Sequence, residues 1–199
     1  MQQNKLMHPY QKQYWVSAFS EMKNLRKVAF AALVIAMRVA MAGIFIPVGP
    51  NLRVYFHFFV TALGGLVCGP IMALLIGFGA DVLGVLLFPS GAYFFGYTLS
   101  AMVGALVYGL FLYKRPISMV RIALCKATVN IGVNVLLGSL WSAMLYSKGY
   151  YYYFVQSITK NILLLPIEVV VLYLFFKLIL PATAKTNFIP VEQAKVKLL

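Results

Sequence analysis

Only 4 acidic residues, 2 histidines and 2 cysteines occur in these 199 residues, and 11% of positions are charged. That scarcity removes most catalytic chemistry before any pattern is read. His8 and His57 fall on opposite sides of the membrane in the topology given below, and neither sits where it could activate an embedded serine. Cys68 and Cys125 lack metal-ligand spacing and read as small buried residues. No catalytic residue, metal site or resident cofactor is therefore expected. A GxxxxGK[ST] phosphate loop is missing, as are long polar stretches, so any ATP-driven work falls to separate subunits. In the first 27 residues no apolar run precedes a small-residue cleavage site, and a cleavable signal is not expected.

Apolar residues are what the chain has in excess. They make up 62% of it and the mean hydropathy is +0.87, far outside the balance of a soluble domain. A polytopic membrane protein follows, of a length that suits one helical bundle. The 17 Lys and Arg give a net charge of +13, which in a soluble protein would suggest nucleic acid. Here most of them flank apolar runs, so topology accounts for the charge and no nucleic-acid partner is expected.

Six apolar segments are readable, at residues 28–46, 54–68, 70–88, 92–113, 118–146 and 153–180. Each approaches the roughly 20 residues that a helical crossing needs, the second being short. Turn-formers mark the joints: Pro47, Gly49 and Pro50; Gly69 and Pro70; Pro89, Ser90 and Gly91; Pro116; Gly149. The runs are too long and too uniformly apolar for barrel strands. The expected fold is all-α and integral to the membrane, a single bundle of six transmembrane helices. Basic residues concentrate before the first segment, between the fourth and fifth, and after the sixth, which puts both termini in the cytoplasm. The domain reading is a basic N-terminal segment (1–27), a six-helix membrane domain (28–180) and a basic, solvated tail (181–199). For the N-terminal segment two readings stand. Trp15, Ala18, Phe19 and Met22 share a helical face among Lys12, Lys23, Arg26 and Lys27, which suits a short interfacial helix on anionic lipid; a disordered basic tail fits as well.

The polar residues inside the spans carry the functional information. Ala32, Ala36 and Ala40 form a narrow small-residue stripe, with Arg38 projecting almost from the opposite side. Such a stripe lets another backbone come close, while a charge at membrane depth turns toward protein or a wet cavity. Arg38 and Asp81 reach about the same depth, roughly 16 Å by helical rise. That depth suits a structural ion pair or ligand contacts. Lys126, Asn130 and Asn134 follow at four-residue spacing, with Trp141 extending the face. They read as a ligand-binding amide line or as interhelical hydrogen bonding, and Lys126 is expected to snorkel to the cytoplasm. Further on, Asn161 and Glu168 share a face, Lys160 is an anion-contact candidate, and Pro166 is placed to kink the helix.

The runs LVIAMRVAMAGIFIPVGPNLRVYFHFF and GPIMALLIGFGADVLGVLLFPSGAYFFGYTLSAMVGALVYGLFLYKR, within the six-span layout, resemble the S components of energy-coupling factor (ECF) vitamin transporters. Similarity is greatest to the folate-specific member and covers about residues 26–180. The resemblance implies a bacterial plasma-membrane subunit that binds folate from the outer side and delivers it inward. It also implies a transmembrane coupling protein and two ATPase subunits as partners, with Ala32, Ala36 and Ala40 meeting the coupling protein. Folate chemistry fits the polar set. Asp81, Asn130, Asn134 or Glu168 suit the pterin edge, and Tyr93, Phe94, Tyr97 and Trp141 suit its flat face. Arg53 and Lys160 suit the glutamate tail. The alternatives are an S component for another vitamin, riboflavin or similar, and a membrane assembly subunit that transports nothing.

Overall fold

A computed structural model of the chain describes residues 6–49, 52–89, 93–146 and 148–197. Of the expected joint residues, Pro50, Ser90 and Gly91 lie outside the described residues. Two compact units are formed, one by residues 12–113 and the other by residues 114–199 with 1–11.

In the 12–113 unit, α1 (Lys12–Glu21) is followed after a short turn by α2 (Leu25–Ala40). The Asn24 side chain caps α2 by accepting from the Arg26 N–H, which satisfies one of the free donors at a helix start. A single 3-10 turn, Met41–Gly43, continues α2 toward a hairpin of β1 (Phe45–Gly49) and β2 (Leu52–Tyr55). The strands are antiparallel, with Phe45 opposite Tyr55 and Pro47 opposite Arg53. This hairpin corrects the sequence reading, which carried the first apolar segment to residue 46, placed a joint at Pro47, Gly49 and Pro50, and began the next crossing at Val54. The chain between α2 and the next helix pairs with itself, and so meets its backbone hydrogen bonds without a helix.

Helix α3 (Phe58–Leu87) is broken at Gly69, where φ is +82° and ψ 173°, and Pro70 starts the second arm. Only glycine adopts that backbone without a Cβ clash, and proline at a first helical position loses no needed N–H. The second and third apolar segments are thus the two arms, 58–68 and 70–87. Helix α4 (Phe95–Leu112) packs tightly along α3. A Cβ on Gly65 would lie 2.7 Å from the Gly109 nitrogen, and one on Gly109 would lie 2.5 Å from the Pro70 Cα. Two bare glycines let the backbones meet beside the break.

The other unit opens with α5 (Met119–Thr128), whose start is capped by the Ser118 hydroxyl accepting from the Arg121 N–H. A π-helical stretch, Val129–Leu137, follows and leads into α6 (Gly138–Leu145). Helix α7 (Tyr150–Lys185) continues through Pro166 and Pro181 as one element. At Pro166, where the sequence places a kink, the helix is not interrupted. Beyond it the chain does not remain solvated, as the sequence suggested. Ile189 and Gln193 are buried, the Gln193 amide donates to the Arg115 carbonyl, and Lys197 exchanges backbone hydrogen bonds with Ile117 and Met119.

Among the described residues, four stretches are long and apolar enough to cross a membrane: α3, α4, Met119–Leu145 and α7. With α3 resolved into its two arms and α2 lengthened by its 3-10 turn, the helical segments match the six apolar runs.

Candidate functional site

Two groups of polar side chains lie at the positions the spans single out, one in each unit. In the 114–199 unit a hydrogen-bonded ladder joins the π-helical stretch to α7. Lys126 Nζ sits 3.0 Å from Glu168 Oε2, and the same oxygen accepts from Asn130 Nδ2 at 2.7 Å. Asn134 Nδ2 donates to Asn130 Oδ1 (3.3 Å) and to Asn161 Oδ1 (3.5 Å). Asn161 Nδ2 in turn donates to the Ser157 carbonyl at 2.8 Å, and Ser157 Oγ donates to the Asn134 carbonyl at 3.2 Å.

The ladder has a direction, set by the carboxylate at its base. Because Glu168 can only accept when ionised, it fixes the Asn130 amide with its nitrogen toward α7. Asn130 Oδ1 then faces Asn134 and orients that amide as well. Each amide nitrogen in the line donates to the protein, and Glu168 Oε1 and Asn134 Oδ1 accept no hydrogen bond among the described residues. Asn130 and Asn161 are buried whereas Asn134 is exposed, so the ladder ends in an amide accessible to a ligand.

Lys126 does not snorkel as expected. Its side chain is 2% exposed and is held by Glu168. A half-buried carboxylate facing protein draws a counter-charge, and the two residues lie at positions 126 and 168 on different elements, so spacing alone could not pair them. Ser157 was likewise missed, because a lone serine in an apolar helix carries no distinguishing pattern. Lys160 is half-buried and feels the Glu168 charge. Trp141 is half-buried on α6. An α-helical period would align it with Asn130 and Asn134, and the wider π-helical turn breaks that line.

In the 12–113 unit, Asp81 Oδ2 accepts from Thr98 Oγ1 at 2.7 Å. The Thr98 proton is then committed, so the Tyr93 hydroxyl, 2.9 Å away, is the donor to Thr98. Thr98 is fully buried, Tyr93 and Tyr97 are exposed, and the Phe94 and Tyr97 rings meet edge to face. Arg38 is buried and feels the charge of Asp81. It forms no hydrogen bond or ion pair with Asp81 among the described residues, and its Nη1 has no hydrogen-bond partner. The close Arg38–Asp81 pair suggested by depth is therefore absent: Thr98 holds the carboxylate instead. Arg53 lies on β2. Ala32, Ala36 and Ala40 are all exposed on the side of α2 away from Arg38. Among the described residues no three His, Cys, Asp or Glu side chains gather as metal ligands would.

No protein-family model matches the chain. A folate transporter FolT from Clostridium novyi (strain NT) is 33% identical over 158 residues, which cover 79% of this chain and 92% of that protein. The chain belongs to the folate transporter FolT family. A second FolT, from Leuconostoc mesenteroides, is 30% identical over 155 residues, covering 74% of this chain and 83% of the relative. The fold agrees with a crystal structure of FolT bound with folic acid at a TM-score of 0.67 and 29% identity, over 74% of this chain and 89% of that one. FolT kinship thus spans the length of the relatives rather than one motif.

Proposed function

We propose that this chain is the substrate-binding membrane subunit of an ATP-driven ECF importer, with folate as its ligand. The observation that carries the reading is the directional ladder ending in the open acceptors Glu168 Oε1 and Asn134 Oδ1. A pterin presents adjacent N–H donors along one edge, and a carboxylate with a neighbouring amide oxygen complements them. Membership of the FolT family, and the folic acid bound by a FolT of similar fold, support the same ligand.

Other groups have narrower tasks in this reading. Tyr93, Phe94, Tyr97 and Trp141 offer ring faces for stacking. The Tyr93–Thr98–Asp81 relay offers a further polar contact. Arg53, Lys160 and the unpartnered nitrogen of Arg38 are the cations available for the carboxylates of a glutamate tail. The exposed Ala32–Ala36–Ala40 stripe suits close approach of a helix from the transmembrane coupling protein, two ATPase subunits supplying the energy. Both termini then face the bacterial cytoplasm, and folate arrives from the other side.

Equilibrium titration of the purified chain with folate, pteroate, riboflavin and thiamine tests the ligand. Folate and pteroate should saturate the protein, and Asn134→Ala should weaken both alike. Saturable riboflavin binding with none for either pterin would redirect the assignment to another vitamin. Binding of none of the four by well-folded protein would favour an assembly subunit.

A further inference from the structure

We infer that α1 is a peripheral anchor whose outward side binds acidic phospholipid headgroups. The helix is fixed to its own unit by the face that carries Tyr14, Ala18 and Glu21. All three are buried, the Tyr14 hydroxyl donates to the Gly109 carbonyl at 3.1 Å, and Glu21 lies 2.7 Å from Lys27 Nζ. The Tyr113 hydroxyl donates to Glu21 at 2.9 Å. These ties correct the face read from sequence, since Ala18 belongs to the docked side.

At roughly 100° per residue, Lys12, Val16 and Phe19 point away from Tyr14 and Glu21, with Trp15 and Met22 beside them. Val16 is 68% exposed and Phe19 60%. Lys12, Lys23 and Arg26 are exposed around this apolar strip. Glu21 is the only acidic residue in the first 80 positions, and it is spent on Lys27 and Tyr113. The outward field of α1 is therefore wholly positive.

Position selects lipid over another partner. Gly109, which α1 touches, lies against Pro70, where α3 breaks, and one turn from the end of α4. Gly109 thus marks the level at which the membrane-length helix α4 ends, and α1, docked there, lies along a bilayer surface. A helix with an apolar strip rimmed by lysine and arginine binds there, its apolar side chains entering the headgroup boundary and its cations meeting lipid phosphates.

The test uses the full chain in nanodiscs with Trp141→Phe, which leaves Trp15 as the sole tryptophan of the 2. Brominated phosphatidylglycerol should quench Trp15, and it should be preferred over brominated phosphatidylcholine by about fivefold or more, the expectation for even one cation near an anionic surface. The preference should fall with added salt, whose screening length shrinks to about 3 Å at 1 M. It should vanish in Lys12→Gln/Lys23→Gln/Arg26→Gln and survive in Lys12→Arg/Lys23→Arg. Equal quenching by both lipids, indifferent to salt and to these substitutions, overturns the proposal. So does a Trp15 that iodide reaches in both lipids and that only an added ATPase–coupling complex shields, which would make the face a protein-docking surface.

Discussion

Replacing the buried Lys126 by methionine strands the half-buried, hydrogen-bonded Glu168 carboxylate without its counter-charge. With the charges 3.0 Å apart and an effective dielectric of about 20, the lost attraction is about 5–6 kcal/mol. The desolvation of Lys126 is recovered in part, and breaking a buried pair of this kind typically costs about 3–5 kcal/mol. For a chain of this size each kcal/mol shifts the melting temperature by about 2–4 °C, so Lys126→Met should melt about 10 °C lower. Removing both charges in Lys126→Met/Glu168→Gln should recover most of that loss, because no unpaired ion is left. The glutamine has the shape of Glu168 but presents a neutral oxygen or an N–H in place of the carboxylate. The stable double variant should therefore bind folate about 30-fold or more weaker, the cost of truncating a desolvated charged hydrogen bond. Thermal melting in detergent followed by folate titration reads both quantities. A double variant as unstable as the single one would show that the pair does not account for the loss. A stable double variant with undiminished folate affinity would remove Glu168 from the ligand site.

Four further outcomes follow from named contacts. Gly109→Ala forces a Cβ to within 2.5 Å of Pro70 and should destabilise by about 1–3 kcal/mol in thermal melts, whereas Gly84→Ala, with nothing within 4 Å, should be neutral or slightly stabilising. Tyr113→Phe removes the donor to Glu21 and should cost about 1.5–3 kcal/mol; a change below about 0.5 would show that water replaces the hydroxyl. Ala36→Trp should abolish pull-down of the ATPase–coupling complex and leave folate affinity unchanged, and normal assembly would reduce the stripe to an ordinary surface. Neutralising Lys160 or Arg53 should weaken folate but not a pterin lacking the glutamate tail, and equal losses for both ligands would place those cations elsewhere.

Much of the architecture was legible because membrane crossings are written in one dimension. An apolar run of sufficient length must hydrogen-bond its own backbone, and the helix does this whatever its neighbours are. Gly69–Pro70 marked a joint because the backbone needed there suits glycine followed by proline. The hairpin over 45–55 was not legible, since strand pairing depends on contacts between residues that carry no helical or alternating pattern of their own. The π-helical turn under Asn130 and Asn134 escaped for a similar reason: composition does not distinguish it from an α-helix, and it shifts the facing of everything beyond it.

The candidate site divides along the same line. Asn130, Asn134, Asn161 and Glu168 stood out in the sequence because polar groups are rare and costly within apolar spans. Which of them bond to one another was decided by the packing of α7 against the π-helical stretch. That packing also drew Lys126 inward against the expectation of snorkelling. In the other unit, depth brought Arg38 and Asp81 to one level, but the Thr98 hydroxyl on α4 took the carboxylate. The sequence by itself determined the membrane class, the helical crossings and the residues too polar to lie in lipid. Tertiary structure alone decided the partners, because a hydrogen bond depends on distance and direction across helices far apart along the chain, as Asn130 and Glu168 are.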